Sequence, residues 1–489
     1  MTKPLLTRRN ALLTGLFGSG YVGLKAMATG LPAWFIANPK LATAQSLDCA
    51  INASENLQYL IVSASSMGDP ISCNCPGTYS GGAANDVAAA AAAIHPDDAT
   101  MAPTAVTLGS KTYTAAAPWG TLLESAKART SFFHHVTLAN NHGDQPKVMR
   151  LMGATTGGEM LVSAYAKQLA GCLGTVQPEP VAVGARGNAS ELVSFAGRSL
   201  PSVSPTQLRQ LLTGSSGGGR PGGQGGNVLV QMRGARDKYL DQLNRLAKEN
   251  SSATKVQQQF LDALALSQAQ VRKLSEDLAE TLGEIDGDDM EGQARAAAAL
   301  IAAKVTPVVT VRVSFGGDNH SDSGLAAEIA DHTDANTRGT GVAGINLILE
   351  QLAAMGLSDK VTFATLNVFG RNLNGISKTD SRSGRDHYGN HSVAIMIGKN
   401  VAPGVIGGVT PVSGGFGGGS SMALGASDID SATGESVASG GDVPRTETHV
   451  SMARTLGAAL GIPQAELDKS FVQGSGGKLV AAGVVSVPT

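Results

Sequence analysis

Asp318-Asn319-His320 and Asp386-His387-Tyr388-Gly389-Asn390-His391 put carboxylates beside imidazoles in two segments far apart in the chain, and Asp69 stands in a third. Side chains of these two types neutralise and ligate divalent cations. Three Asp and three His would suffice for two ions, one polarising a substrate oxygen and the other generating or orienting a nucleophile. A mixed nitrogen and oxygen donor set suits zinc or manganese better than calcium, which prefers oxygen alone. Taken singly, each segment is also an ordinary turn, because Asp after Gly-Gly and Asp in a polar loop are turn formers. The metal reading therefore requires the fold to gather them. Isolated histidines such as His95, His332 and His449 read as surface or hydrogen-bonded imidazoles, although His449, at the start of a late helix, could replace His391 as a ligand.

The flanking segments supply elements able to do the gathering. Leu57 to Ala64 is a short apolar run that ends in Ser65-Ser66-Met67-Gly68-Asp69-Pro70, a strand entering a turn. Pro307 to Phe315 is rich in β-branched residues and breaks at Gly316-Gly317, immediately before Asp318. A helical stretch over 324–355, a strand over Lys360 to Leu366, a polar loop to Tyr388 and a strand at 392–397 follow. Strand, helix and strand in succession predict an α/β fold with a mainly parallel central sheet flanked by helices. In open sheets of this kind ligands collect beyond the carboxyl ends of the strands, which is where all three segments would emerge.

The remaining stretches read as excursions. Residues 81–118 are rich in Ala, Gly, Thr and Pro and suggest an irregular segment with a short alanine helix at 86–94. A Gly/Ser-rich linker at 214–226 precedes an insertion at 228–300. There Tyr239, Leu243, Leu246, Phe260, Leu264, Val271, Leu274 and Leu278 recur at helical spacing and predict a helical hairpin with a solvated charged face. Residues 404–442 are again Gly/Ser-rich and read as a surface loop, followed by a final helix at 446–461.

Composition narrows the classes of function. A formal net charge of −2 with no long Lys/Arg run argues against a nucleic-acid partner. A hydrophobic content of 42% excludes wholesale disorder. Arg8-Arg9 ahead of a glycine-broken apolar stretch resembles a twin-arginine export signal over 1–44, with Ala42-Thr43-Ala44 suited to cleavage after Ala44. Lys25, Pro32 and the glycines interrupt every window long enough to span a bilayer, so no stable membrane span is expected once the signal is removed. The expected location is periplasmic or extracellular, with the twin-arginine translocation machinery as a partner. In an oxidising compartment Cys49, Cys73, Cys75 and Cys172 could form two disulfides, and the closeness of Cys73 to Cys75 suggests bridges from these two to Cys49 and Cys172.

Phe369-Gly370-Arg371, then Asp386-His387-Tyr388-Gly389-Asn390-His391, an apolar strand and Gly398 resemble the signature of the exported domain-of-unknown-function 1501 family, which belongs with the alkaline phosphatase and sulfatase superfamily. Asp318-Asn319-His320 is similar to that family's Asp-Thr-His, and Asn141-His142-Gly143-Asp144-Gln145 to its Ser-His-x-Asp-Gln. The resemblance implies an alkaline phosphatase-like domain over 45–489 and hydrolysis of a small anionic phosphate or sulfate ester. It implies one metal on Asp69, Asp386 and His387 and a second on Asp318, His320 and His391. His142 and Asp144 become proton-transfer candidates. Arg371 is either a bidentate anchor for a substrate anion or a loop-pinning ion pair. Asn141 stands where the family has Ser, and an amide cannot act as an oxygen nucleophile. That departure favours the alternative, a non-catalytic exported scaffold or binding protein that keeps the fold.

Overall fold

The computed structural model describes residues 56–78, 98–213 (without 176, 185–193, 196 and 201), scattered helical positions between 238 and 249, and residues 282–333, 339–373, 384–412 and 423–488. The proposed signal at 1–44, the helix at 86–94, the linker at 214–226 and most of the 228–300 insertion lie outside these. Eight strands form the central sheet: β1 (Tyr59–Ser65), β2 (Thr130–His135), β3 (Val181–Val183), β4 (Ser202–Val203), β5 (Val308–Val311), β6 (Val361–Asn367), β7 (Ser392–Ile397) and β8 (Gly404–Ile406). Their order across the sheet is β8-β2-β7-β6-β1-β5-β3-β4. Every strand but β7 runs in one direction; β7 is antiparallel to both neighbours, β6 and β2. The expected mixed α/β class with a mostly parallel sheet is what the chain adopts.

Both faces of the sheet are covered, so β1, β6 and β7 are buried at every position and read as continuous apolar runs. Alternation still sorts their side chains. Ile61, Val309, Val311 and Phe363 join one core with helices α3 (Met290–Ala302) and α5 (Gly341–Ala354). Leu60, Val62, Ala364 and Met396 face the other way, onto α1 (Leu161–Leu173) and α6 (Thr448–Ala459). Helix α3, inside the expected insertion, is thus part of the main core: Asp289 caps its first turn by accepting from the Gly292 N–H, and its alanines pack against the sheet. Helix α2 (Pro205–Thr213) packs on α3, and helix α4 (Ala326–Thr333) packs on α5.

Several expectations change. Residues 103–116, read as irregular, form an antiparallel hairpin of Pro103–Leu108 with Lys111–Ala116, in which Val106, Leu108 and Ala115 are buried. The 404–442 segment is more than a surface loop: β8 joins the sheet edge, and Val409–Val412 pairs with Ala423–Ala426. Its glycines mask the β-branched residues between them. The bridges expected from Cys73 and Cys75 are absent, because both are buried free thiols. The Cys73 thiol donates to the Asn372 carbonyl at 3.4 Å, and Cys75 lies 3.7 Å from the Thr78 hydroxyl. Burial pushes their pKa values up to about 11 and about 12, which leaves them unreactive. Cys172 is disulfide-bonded, to a partner outside the described residues. Among the described residues no helix is long and apolar enough to cross a membrane.

One buried feature ties β2 to β7 and α6. The His134 ring stacks on His391 at 5.2 Å, and His135 stacks on His449 at 5.1 Å. Nε2 of His134 lies 3.1 Å from the Pro76 carbonyl, which can only accept, so this nitrogen carries the proton and Nδ1 accepts from Nε2 of His391 at 3.0 Å. Burial lowers the pKa values of His134 and His135 to about 4. A histidine whose folded pKa is depressed stabilises fully above its unfolded value near 6.5 and loses that contribution as the pH falls toward 4. Stability in urea should therefore fall as the pH drops from 6.5 toward 4, by up to about 1 kcal/mol per pH unit for each of the two residues. Urea titrations across this window test it, and a flat profile would contradict neutral buried imidazoles.

Candidate metal centre

Parallel alignment of β1, β5 and β6 sends their following loops to one rim of the sheet. β2 ends at the same rim, and β7, running the other way, begins there. Five segments therefore meet: 66–72, 136–142, 312–320, 368–373 and 384–391. Two close approaches need glycine. A Cβ on Gly68, whose φ is +66°, would lie 2.0 Å from the Phe369 ring, and one on Gly389 would lie 2.3 Å from the Ala139 carbonyl oxygen. The same Gly389 carbonyl accepts from the N–H groups of Thr137 and Leu138, which locks the loop of His387 to the loop of His142.

His142, Asp318 and His387 converge at this rim, with one ligand atom from each lying within 4.8 Å of the others. Nε2 of His142 is 3.0 Å from Asp318 Oδ2, and Nε2 of His387 is 3.4 Å from Asp318 Oδ1. Each ring has its other nitrogen against a backbone carbonyl, His142 Nδ1 at 2.6 Å from Ser66 O and His387 Nδ1 at 3.2 Å from Asn140 O. A carbonyl only accepts, so both Nδ1 atoms carry the proton. In the neutral rings both Nε2 atoms then present lone pairs toward a carboxylate. Burial, followed by the charge of Arg371, lowers the pKa of His387 and so opposes its protonation. Two lone pairs facing a carboxylate repel unless a proton or a metal ion lies among them, and imidazoles held through Nδ1–H to a carbonyl are the usual support of a metal centre. The residues present fit a divalent ion. The stacking of Phe369 on His387 at 4.4 Å, with His142 at 5.0 Å, fixes the plane of both rings from below.

Asp318 is kept ionised. Partial burial alone would raise its pKa, but hydrogen bonds from His320 and Arg371, with the charge of Arg371, hold it well below the usual carboxylate range. Arg371 is fully buried and donates from Nη2 to Asp318 Oδ1 at 2.8 Å and to Met67 O at 2.7 Å, from Nε to Gly68 O at 2.6 Å, and from Nη1 to Arg385 O at 3.0 Å. Of its two readings, the loop-pinning ion pair is the one its contacts support: its donors serve Asp318 and the backbone of two further loops, 66–72 and 384–391. His320 Nδ1 donates to Asp318 Oδ1 at 2.8 Å from a half-exposed ring.

The other expected residues lie outside the group. Asp69 is buried, and its Oδ1 accepts from the N–H groups of Phe315 and Gly317 at 2.9 Å, pinning the turn that carries Asp318. Asp386 is exposed. Asp144 pairs with Lys147 at 2.7 Å, His391 with His134, and His449 stacks on His135. Asn141 caps the turn at 142–144 by accepting from the Gly143 N–H, a structural duty. Among the described residues there is one such metal-ligand group, and of the six expected ligands only Asp318 and His387 belong to it. Three features escaped the sequence reading: the Phe369 floor, the adjacent His134 and His135 in an apolar strand, and the buried polar side chains behind the rim. Only the paired histidines left a visible signal.

Residues 224–417 match the model of the family described as "Protein of unknown function (DUF1501)". The match contains Asp318, Arg371 and His387 but neither β1 nor the His142 loop, so the centre joins a segment inside it to a segment before it. No curated protein matches the chain.

Arg371→Gln leaves buried carbonyls and the Asp318 carboxylate short of donors, and should cost about 3–5 kcal/mol in a denaturant titration. Arg371→Lys, which keeps the charge but not the fork, should lose less. Equal stability in all three proteins would show that the guanidinium does not hold the rim together.

Proposed function

We propose that this chain is an exported, metal-dependent hydrolase of small anionic esters of phosphate or sulfate, with His142, Asp318 and His387 as the ligands of one divalent ion. The observation that carries the reading is the pairing of two Nε2 lone pairs with a carboxylate, each ring held by a carbonyl at Nδ1. The nitrogen-rich donor set favours zinc or manganese. An ion bound there would supply positive charge to polarise an oxygen of the substrate.

The chain's own residues then divide the work. Asp318 offsets the ion's charge, and Arg371 keeps Asp318 ionised. His320 is the best-placed proton carrier, because its Nδ1–H is oriented by Asp318 while the half-exposed ring leaves Nε2 for an entering group. His142 and Asp144, the earlier candidates for that step, are engaged with Ser66 O and Lys147. Export by the twin-arginine route to the periplasm or beyond rests on Arg8-Arg9 and is supported by the disulfide at Cys172. The alkaline phosphatase-like assignment rests on the resemblance of the rim motifs. A binding role without turnover is favoured by two observations: Asn141 acts as a cap, and Arg371 turns inward.

The test is metal content of the purified protein, followed by release of nitrophenol from phosphate, phosphodiester and sulfate esters. One ion per chain is expected, with affinity reduced more than about 100-fold in His387→Ala and Asp318→Asn and turnover lost with it. Tight metal binding without turnover of any ester selects the binding role. No affinity for zinc, manganese or cobalt removes the metal centre itself.

A further inference from the structure

We infer that Glu328, on helix α4 behind the rim, is a positioning residue that sets the spacing of Asp318 and His387; the inference rests on the metal-centre reading above. The carboxylate is fully buried. Its Oε2 accepts from Asn319 Nδ2 at 3.0 Å and from Arg385 Nε at 2.9 Å, and its Oε1 accepts from Asn74 Nδ2 at 3.0 Å. Asn319 follows Asp318 directly, and Arg385 stands two residues before His387. One oxygen atom thus joins the two loops that deliver these ligands. The backbone repeats the link: the Arg385 N–H donates to Asn319 O at 3.1 Å, and the Gly384 N–H to His320 O at 2.9 Å.

The third arm anchors the pair of loops to the body of the molecule. Asn74, in the turn after Asp69, accepts from the Trp119 indole N–H at 2.9 Å and approaches His332 Nε2 at 3.0 Å. Trp119 stacks on Phe315 at 6.0 Å, just before the Gly316-Gly317 turn. Every side chain placed on Glu328 by these bonds is a donor, so a carboxylate suits the position and an amide does not: glutamine would turn an NH₂ toward Asn74 or toward Asn319 and Arg385. It would also leave Arg385, buried, short of its counter-charge. The side chain touches neither the ligand atoms nor an entering substrate. Its effect on chemistry must pass through Asn319 and Arg385.

The experiment compares the full-length protein with Glu328→Gln and with Leu456→Ala, a core truncation within α6 on the opposite face of the sheet, chosen to match the loss of stability. The affinity for Zn²⁺ or Co²⁺ alone should fall at least about 10-fold in Glu328→Gln, the range for residues that orient ligands, and be unchanged in Leu456→Ala. Amide exchange should quicken at 318–322 and 384–388 in Glu328→Gln while α6 stays protected, and the reverse is expected for Leu456→Ala. Equal metal affinity in Glu328→Gln and the parent, or rim amides that exchange as in the parent, overturns the inference. If the parent binds no metal, the metal-centre reading fails, and the exchange data still decide whether Glu328 holds the two loops. Arg385→Lys keeps the charge and loses the Nε contact; it takes the same measurements if Glu328→Gln does not fold, with a smaller change in the same direction.

Discussion

An ionised carboxylate held partly out of water constrains the whole rim. Asp318 sits where burial favours the acid, yet it is held as the anion by Arg371 and His320 and faced by two imidazole nitrogens. Arg371 is in turn a buried cation, tolerable only because carbonyls from Met67, Gly68 and Arg385 accept its remaining protons. Those carbonyls belong to two loops, 66–72 and 384–391, so satisfying one guanidinium fixes the backbone that surrounds the carboxylate. Electrostatic need and loop geometry are the same constraint.

Behind this first charge lies a second arrangement of the same kind. Glu328 and Arg385 are both fully buried and paired at 2.9 Å, with Asn74 and Asn319 completing the carboxylate's bonds. Buried pairs of this sort add little net stability compared with apolar packing, but removing one partner is costly. What they do supply is direction, since each bond joins one identified loop to another. The His134–His391 and His135–His449 stacks work similarly between β2, β7 and α6. They account for why imidazoles that look ligand-like in sequence are occupied elsewhere.

Much of the sheet was readable from apolar runs. β1, β6 and β7 each carry an unbroken apolar or β-branched stretch ending in a polar turn, a pattern local enough to survive without tertiary information. Short or glycine-interrupted pieces were not readable. The 103–116 hairpin is half exposed and alternates weakly, β8 has three residues, and the 409–412 strand pairs with a partner across a glycine-rich stretch. Helix α3 continues an apparently solvated insertion, yet it is the alanines of its buried face that let it approach the sheet closely.

From the sequence alone followed the chemical inventory, the three loop-borne segments at strand ends and the parallel direction of the strands that carry Asp69 and Asp318, because residue type and short-range periodicity are properties of neighbouring residues. Which members of that inventory meet was decided by the tertiary structure. His142 enters from a loop after β2, whose strand went unrecognised, while Asp69, Asp386 and His391 are drawn into a backbone pin, solvent and a histidine stack. Grouping depends on which backbone N–H and C=O groups each side chain finds across the sheet, and those partners lie tens to hundreds of residues away.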